Sequence, residues 1–403
     1  MNEENELVYR GDNTLTYAMS VAATWIWAPA IYVASSMAYF NGLYGFLWFV
    51  LPNTITLAFF GFFAQRFVLQ HDTTTFTGIT NLFTNKKQEV LHSIVSGILL
   101  ICSSCVQIIG LHHILQMYFN DVPLYVSAIV ISMFCYAYTK IGGIKACIIS
   151  DKYKYITMLV IGLILLTSIF CNTQSFENIT FFGVNKPEFI DISLSFGIVS
   201  SIGLLTAPYV DNTLWQRVYS TNPSKVMQCF LWSAVFFIVI PIIFGCLGFL
   251  STGSVINSSW VVTDMFKDNL IMSGMISVAI FLALVATLDS NLCAVYSLAK
   301  NEVQKISKYS MELLLCVSSL IVICLEPTIV EMFLIYGTIR TAIAVPTILV
   351  IYQKFDEDRL FYATLSAVII GFVGYMTMAM LNLPYGFVFT CLALSIPLCG
   401  YKK

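Results

Sequence analysis

Long apolar runs follow one another along almost the whole chain, and they restrict its fold more than any other feature. A helix needs roughly 20 apolar residues to cross the hydrocarbon core of a bilayer. Polar breaks divide the 403-residue chain into about twelve such runs. Numbered in chain order as spans 1 to 12, they cover residues 14–40, 43–69, 90–117, 122–139, 146–172, 191–216, 226–251, 270–299, 309–325, 329–352, 360–380 and 384–401. The pattern predicts an all-α integral membrane protein with about twelve transmembrane helices.

The composition excludes the soluble classes of protein. Only 10% of the residues are charged and 58% are hydrophobic, whereas about a quarter of a soluble domain is charged. A soluble enzyme is therefore excluded. The net charge of −2, without a basic patch, gives no indication of a nucleic-acid partner. We expect a lipid bilayer as the surroundings, no cofactor and no obligate protein partner.

The basic residues orient the predicted spans. Lys and Arg accumulate on the cytoplasmic side of membrane proteins. If the N-terminus is cytoplasmic, seventeen of the twenty Lys and Arg residues fall on that side. Only Lys186 and Lys267 fall outside, and Arg340 lies within span 10. The alternation predicts a multi-pass protein of the cell membrane with both termini in the cytoplasm.

The segments between the spans are short. The acidic start of the chain, residues 1–6, is not typical of a cleaved signal peptide. The longest external loops, near 173–190 and 252–268, are too short to form a domain of their own. Residues 1–403 are therefore expected to form a single polytopic membrane domain.

Two prolines stand in matching positions of the chain. Ala28-Pro29 lies near the middle of span 1, and Ala207-Pro208 lies near the middle of span 6, five spans later. Proline removes a backbone donor, and free carbonyls at membrane depth persist only where protein, water or an ion satisfies them. Each proline alone is compatible with an ordinary kink. Together they are typical of transporters with two inverted five-helix repeats, whose ligand sites lie between the interrupted helices.

Four stretches of sequence carry a resemblance to a known family. They are Ser20-Val-Ala-Ala-Thr-Trp-Ile-Trp-Ala-Pro29, Gly142-Gly-Ile-Lys-Ala with Ser150-Asp151, Asp211-Asn-Thr-Leu-Trp-Gln-Arg217, and Ala283-Leu-Val-Ala-Thr-Leu-Asp-Ser290. In this order they resemble the sodium/solute symporters, which share a leucine-transporter-like fold. The sequences of the first and third stretches are similar to the urea-transporting branch of that family. The resemblance implies an inverted 5+5 repeat core, with repeats at 14–172 and 191–352, and two accessory helices at 360–401.

The resemblance also implies sodium as the coupling ion. Sodium is a hard cation that prefers oxygen ligands. By resemblance, Ala22 and Trp25 of span 1 would provide backbone carbonyls, as would Ala283 of span 8, while Thr287 would provide a hydroxyl. Ala286 stands where the family usually has a second hydroxyl, so one side-chain ligand is missing.

A second cation site is implied on the cytoplasmic side of the first. By resemblance, Asp151 lines an inner cation route, and Asp289 with Ser290 completes the site. Ionisable side chains within transmembrane spans are energetically costly, so each one is first considered as a functional residue. The two carboxylates could hold a cation or share a proton. Asp151 could instead serve only as a carboxylate favoured at the N-terminus of span 5.

Polar and aromatic residues beside the two breaks predict the walls of a solute cavity. Asp211 follows the break in span 6 and either faces the solute or bonds exposed backbone. Arg340 either neutralises a buried acid, binds an anionic solute, or extends its charge towards water. The predicted substrate-binding residues are Thr24, Trp25, Trp27, Asn53, Tyr209, Asp211 and Trp215.

Taken together, these features predict a sodium-coupled secondary active transporter that imports a small polar organic solute by alternating access. The sequence shows no nucleophile–base pair or metal-binding constellation, so an enzyme is not expected. Two alternatives stay open. One is a proton-coupled or uncoupled carrier, favoured by Ala286 and Asp289, and the other is a transporter-like sensor that binds solute without net transport.

Overall fold

The computed structural model describes most of the chain, namely residues 9, 13–70, 82–83, 85–119, 121–172, 181–251, 261–302, 307–352, 355–381, 383 and 385–401. These residues are helical apart from turns, short connections and one isolated bridge between Phe355 and Tyr401. Within this part of the chain, nine helices are long and apolar enough to cross a bilayer. The acidic first residues and parts of the two long external loops, 173–180 and 252–260, lie outside the described residues.

Two of the nine helices each include residues of two predicted spans, and each is kinked at a glycine. Ala28–Gln70 holds the second half of span 1 and all of span 2, and it turns at Gly42, whose φ is 62°. Leu124–Asn172 holds spans 4 and 5 and turns at Gly143, whose φ is 55°. Glycine adopts this left-handed conformation without steric cost. With a shorter apolar helix at the C-terminal end, the prediction of about twelve spans is confirmed.

The remaining spans are helices close to their predicted positions. In chain order, spans 3 and 7 to 12 are Lys86–Gln116, Val226–Leu250, Leu270–Glu302, Ser310–Leu325, Ile329–Ile351, Glu357–Met380 and Gly386–Ser395. A 3-10 turn, Ile396–Gly400, follows the last helix, and a short helix, Val261–Phe266, precedes span 8.

Spans 1 and 6 are both interrupted, as the two prolines predict. The first helix of span 1, Thr14–Trp25, ends before two non-helical residues, and the chain resumes as a helix at Ala28. Span 6 begins with Phe189–Ile192 and continues through a π-helical turn into Ile198–Thr206. It then narrows to a 3-10 turn at Ala207–Tyr209 and resumes as Asn212–Ser220.

Span 10 lies inside the bundle and span 11 on its surface. In the most apolar window of each, 83% of span 10 is buried, compared with 17% of span 11. Spans 6 and 10 pack closely, as shown by Gly203, where an added Cβ atom would lie only 2.9 Å from the Cα of Gly337. The break in span 6 is thereby held beside the middle of span 10.

Candidate functional site

The break in span 1 releases backbone carbonyls from the helix. Because Pro29 has no N–H, it cannot donate to the carbonyl of Trp25, four residues earlier. The preceding donor, the N–H of Ala28, bonds to Oε1 of Gln107 in span 3 at 3.3 Å. The last two carbonyls of the first helix are therefore available to groups on other spans.

Span 8 provides the group that meets one of these carbonyls. The hydroxyl of Thr287 lies 3.1 Å from the carbonyl of Thr24 and 3.3 Å from the carbonyl of Ala283, one turn earlier in its own helix. The helix end that carries Ala22 and Trp25 thus lies against the turn of span 8 that carries Ala283 and Thr287. Backbone and hydroxyl oxygens of the kind that bind sodium are concentrated at this joint.

The acidic residues of the second implied cation site also lie together. The ammonium of Lys154 lies 2.6 Å from Oδ2 of Asp289 and 3.1 Å from Oδ1 of Asp151. Both carboxylates are fully buried, and Lys154 is 7% exposed. Ser290 donates to the carbonyl of Ala286 at 2.7 Å and lies 3.2 Å from Oδ1 of Asp289. The cation between the carboxylates is therefore an ammonium of the chain itself.

Arg217 of span 6 completes this cluster. Its Nη2 lies 3.2 Å from Oδ2 of Asp151 and donates to Ser290 Oγ at 2.6 Å. Its Nε donates to Ser20 Oγ at 3.3 Å, and Ser20 in turn donates to Asp151 at 2.7 Å. Two carboxylates face two cationic groups, so the buried charges compensate one another, as buried ions require.

The count of basic residues on each side of the membrane does not identify the two cations of this cluster as buried, because it assigns Lys154 and Arg217 to the cytoplasmic side. Two signals in the sequence could have indicated them. Lys154 follows Asp151 by three residues, a spacing that brings side chains together on a helix, and Arg217 ends one of the four motifs.

A small cavity lies between the two breaks. Its volume is about 20 Å³, which is room for about one water. It is lined by Thr24, Trp25, Trp27, Ser103, Asp211, Thr213, Thr287, Asn291, Tyr336 and Arg340. Four of the predicted substrate-binding residues, Thr24, Trp25, Trp27 and Asp211, therefore share one cavity.

The other three predicted substrate-binding residues do not line this cavity. The amide of Asn53 donates to the carbonyl of Phe49 in its own helix at 2.9 Å. The indole of Trp215 donates to the carbonyl of Tyr209 at 3.1 Å, and both rings pack edge-on against Phe60 of span 2. These side chains fill the contact between spans 2 and 6, because aromatic pairs favour such edge-to-face packing.

Asp211 has a structural role as well as a place in the cavity wall. Its Oδ1 accepts the backbone N–H of Thr213 at 2.8 Å and the hydroxyl of Thr213 at 2.6 Å. It is the N-cap of the helix Asn212–Ser220, and an aspartate is well suited to that position. Asp211 therefore bonds exposed backbone, and its place in the cavity wall keeps contact with a solute as a prediction.

Arg340 extends into the same cavity from span 10. Its side chain is 1% exposed, and its guanidinium carbon lies 4.4 Å from the ring centre of Tyr336. Trp27 packs edge-on against the same ring, with 5.5 Å between the ring centres. The aromatic residues thus hold the guanidinium at the level of the two helix breaks.

Known structures match the fold along nearly the whole chain, whereas the sequence matches no family model and no curated protein. A Na+-coupled sialic acid symporter in a substrate-bound, outward-open state covers 99% of this chain and 91% of its own, with 16% identity and a TM-score of 0.74. Mhp1, a nucleobase-cation-symport-1 family transporter with bromovinylhydantoin bound, covers 98% and 94% with 12% identity and a TM-score of 0.70. The manganese transporter of Eremococcus coleocola covers 99% and 91% with 10% identity and a TM-score of 0.66. The chain is therefore a multi-pass membrane protein with the leucine-transporter-like fold.

Proposed function

We propose that the chain is a secondary active transporter that uses a sodium gradient to import a small polar organic solute by alternating access. The observation that carries the proposal is the contact of Thr287 with the carbonyl of Thr24 at the break in span 1. The same hydroxyl also contacts the carbonyl of Ala283 in span 8. Oxygen atoms from spans 1 and 8 therefore meet where span 1 is interrupted. Transporters of this architecture bind ligand and ion at such interruptions.

A sodium ion at this joint would connect spans 1 and 8. The ligands would be the carbonyls of Ala22, Trp25 and Ala283 and the hydroxyl of Thr287, with water in the place left by Ala286. Sodium would favour the conformation in which the two spans are in contact, and its loss to the cytoplasm would allow them to separate. A ligand shifts such an equilibrium only by its difference in affinity for the two conformations.

The structural neighbours support this choice of class. One is described as Na+-coupled, and another belongs to a cation-symport family. The molecules named for them differ, however: one is a sialic acid symporter, one has bromovinylhydantoin bound, and one is a manganese transporter. The fold therefore favours transport over catalysis without selecting a solute, and urea stays among the solutes to be tested.

Lys154 bears on the number of coupling ions. Because its ammonium lies between Asp151 and Asp289, the acidic pair needs no free cation for neutrality. We therefore assign one sodium, at Thr287, rather than two. The same cluster supports the second candidate, a proton-coupled carrier, since Asp151 and Asp289 both contact one ammonium and could share a proton if that ammonium moved away.

The sodium requirement can be tested with purified protein in liposomes. Uptake of a panel of urea, amino acids, carboxylates and sugars is measured with an inward sodium gradient, with potassium in its place, and with a pH gradient. Sodium-dependent uptake supports the proposal. Uptake driven equally by the pH gradient in potassium would favour the proton-coupled carrier, and equal rates under all conditions would reject coupling.

The assignment of Thr287 is tested by Thr287→Ala. A hydrogen bond or ligand contact to a charged group is worth about 1.5–3 kcal/mol, so the sodium concentration for half-maximal thermal stabilisation in detergent should rise by about tenfold to a hundredfold. Thr54→Ala is the matched control, since Thr54 also bonds a carbonyl one turn earlier but lies in span 2. An unchanged sodium response in Thr287→Ala removes this residue from the site.

A further inference from the structure

Arg340 has unused hydrogen-bonding capacity at the centre of the molecule. It lies in the middle of the helix Ile329–Ile351, which has the largest buried share of the nine long apolar helices in the described part of the chain. A guanidinium is charged at every physiological pH and has five N–H donors. A charge in this position is unfavourable unless it is paired and hydrogen-bonded.

The residues around Arg340 leave part of this requirement unmet. In the part of the chain that the structure describes, Nε and Nη2 of Arg340 have no hydrogen-bond acceptor. No carboxylate among these residues lies within 4.0 Å of the guanidinium, whereas the ion pairs of Lys154 and Arg217 all fall within that distance. Tyr336 covers the face of the guanidinium with its ring and also forms a side-chain hydrogen bond with Arg340, but neither contact gives Nε or Nη2 an acceptor.

The two unused nitrogens define the shape of the missing partner. Nε and Nη2 lie on one edge of the planar guanidinium, and their two N–H groups point in parallel. This is the fork that binds the two oxygens of a carboxylate. Nε1 of Trp25, in the wall of the same cavity, also has no acceptor among the described residues. Two residues that line one cavity therefore hold three buried donors without an acceptor in the described part of the chain.

Asp211 restricts the charge of this partner. Its carboxylate lines the same cavity and holds its place by capping the next helix. A solute with one carboxylate satisfies Arg340 and keeps its uncharged or cationic part near Asp211. A second negative charge on a small solute would be repelled by Asp211.

We infer that the transported solute is a monocarboxylate whose two oxygens bind Nε and Nη2 of Arg340. This inference rests on the proposed function, because it names the solute class of the same central cavity. The cavity, at about 20 Å³, must widen to admit such a solute, as a conformational cycle allows.

Binding to the purified full-length protein in detergent tests the inference without requiring transport. Matched pairs of acid and amide are compared by calorimetry and thermal shift: propionate with propionamide, lactate with lactamide, and glycine with glycinamide, with succinate as a dianion. We expect acids to bind at least tenfold more tightly than their amides, and succinate to bind more weakly than propionate. Amides that bind as well as acids, or a panel in which no carboxylate binds, would overturn the inference.

Two variants of Arg340 locate the effect. Arg340→Gln should abolish the preference for acids, and Arg340→Lys should retain a reduced preference, because an ammonium has charge without the fork. Arg359→Gln, outside the cavity at the start of span 11, is the control. If Arg340 were only structural, both variants would be less stable while the ratio of acid to amide affinity stayed as in the wild type. Should Arg340→Gln fail to fold, Trp25→Phe, which removes one cavity donor, must lower the affinity for acids more than for amides.

Repeating the titrations in potassium separates this inference from the proposed coupling. An acid preference that is independent of sodium would keep the monocarboxylate and reject sodium symport. Sodium-dependent binding of neutral solutes alone would keep sodium symport and reject the monocarboxylate.

Discussion

Lys154 places a fixed positive charge between two carboxylates that a free cation would otherwise have to neutralise. An ammonium and a sodium ion carry the same charge and both attract carboxylate oxygens. The ammonium, however, is tethered to span 5 and cannot leave with the solute. At this site a resident ammonium stands in exchange for the second cation that the sequence resemblance implies.

This exchange predicts that Lys154→Ala creates a sodium site. Removing one partner of a buried ion pair destabilises a protein by about 3–5 kcal/mol, so the variant should unfold at a lower temperature in choline chloride. Sodium should restore much of this loss, because the oxygens of Asp151, Asp289 and Ser290 would surround the vacated position. Thermal unfolding is measured against sodium concentration in a Thr287→Ala background, in which the other sodium site is weakened.

Lys225→Ala, in the exposed turn Pro223–Lys225, controls for the loss of one positive charge. A Lys154→Ala variant that responds to sodium no more than this control would show that the two carboxylates cannot bind a free cation.

The sequence indicates the individual site residues only where a motif contains them. Thr287, Asp151 and Asp289 lie in motifs, and the structure places them at buried joints. Trp215 also lies in a motif, yet its ring packs between spans 2 and 6, because a motif does not show which side of a helix faces the cavity. Lys154 was overlooked for a related reason, since only the packing of spans 5 and 8 determines that it is buried.

At the level of helices, the two prolines lie differently in their breaks, because the unwound residues precede Pro29 but include and follow Pro208. Pro29 lies inside the second helix of span 1, and the unwound residues are Ile26 and Trp27. The displacement follows from the missing N–H, which affects the carbonyl four residues earlier. Pro208 lies within the 3-10 turn of span 6, and the chain remains non-helical as far as Asp211. The two breaks were thus predictable from sequence, although their limits were not.

Restoring the donor in span 1 should weaken sodium binding. Pro29→Ala provides an N–H that can bond the carbonyl of Trp25, and alanine favours a helix interior over proline by about 3 kcal/mol. The variant should therefore favour a continuous helix, and its sodium concentration for half-maximal stabilisation should rise about tenfold or more. Pro241→Ala, in the uninterrupted helix Val226–Leu250, is the control. An unchanged sodium response in Pro29→Ala would show that the released carbonyl is not a ligand.

On the scale of the whole molecule, the number of spans follows from the sequence, but their places in the bundle do not. Spans 10 and 11 have mean hydropathies of 1.8 and 1.7 in their most apolar windows, yet 83% of one window and 17% of the other are buried. Lipid tails are as apolar as a protein interior, so a helix facing lipid and one facing protein need the same composition. The charge of Arg340 was the signal that distinguished span 10, because a charged residue rarely faces lipid.

The two proposed sites meet at one short segment, and this predicts that sodium and solute bind cooperatively. The carbonyl of Thr24 contacts the Thr287 hydroxyl of the proposed sodium site, while Thr24 and the adjacent Trp25 both line the proposed solute cavity. An ion that orders this segment also positions the cavity wall, so each ligand should raise the affinity for the other.

Linkage requires the two effects to be equal, because coupling free energies are reciprocal. Couplings of this kind are typically about 1–3 kcal/mol, or roughly 5-fold to 150-fold in affinity. Calorimetry should find the same factor when solute is titrated with and without sodium and when sodium is titrated with and without solute. Arg340→Gln should remove the gain in sodium affinity caused by a carboxylate while leaving sodium binding alone unchanged. Independent binding of the two ligands would mean that the unwound segment of span 1 does not connect the sites, and alternating access would then need another route of coupling.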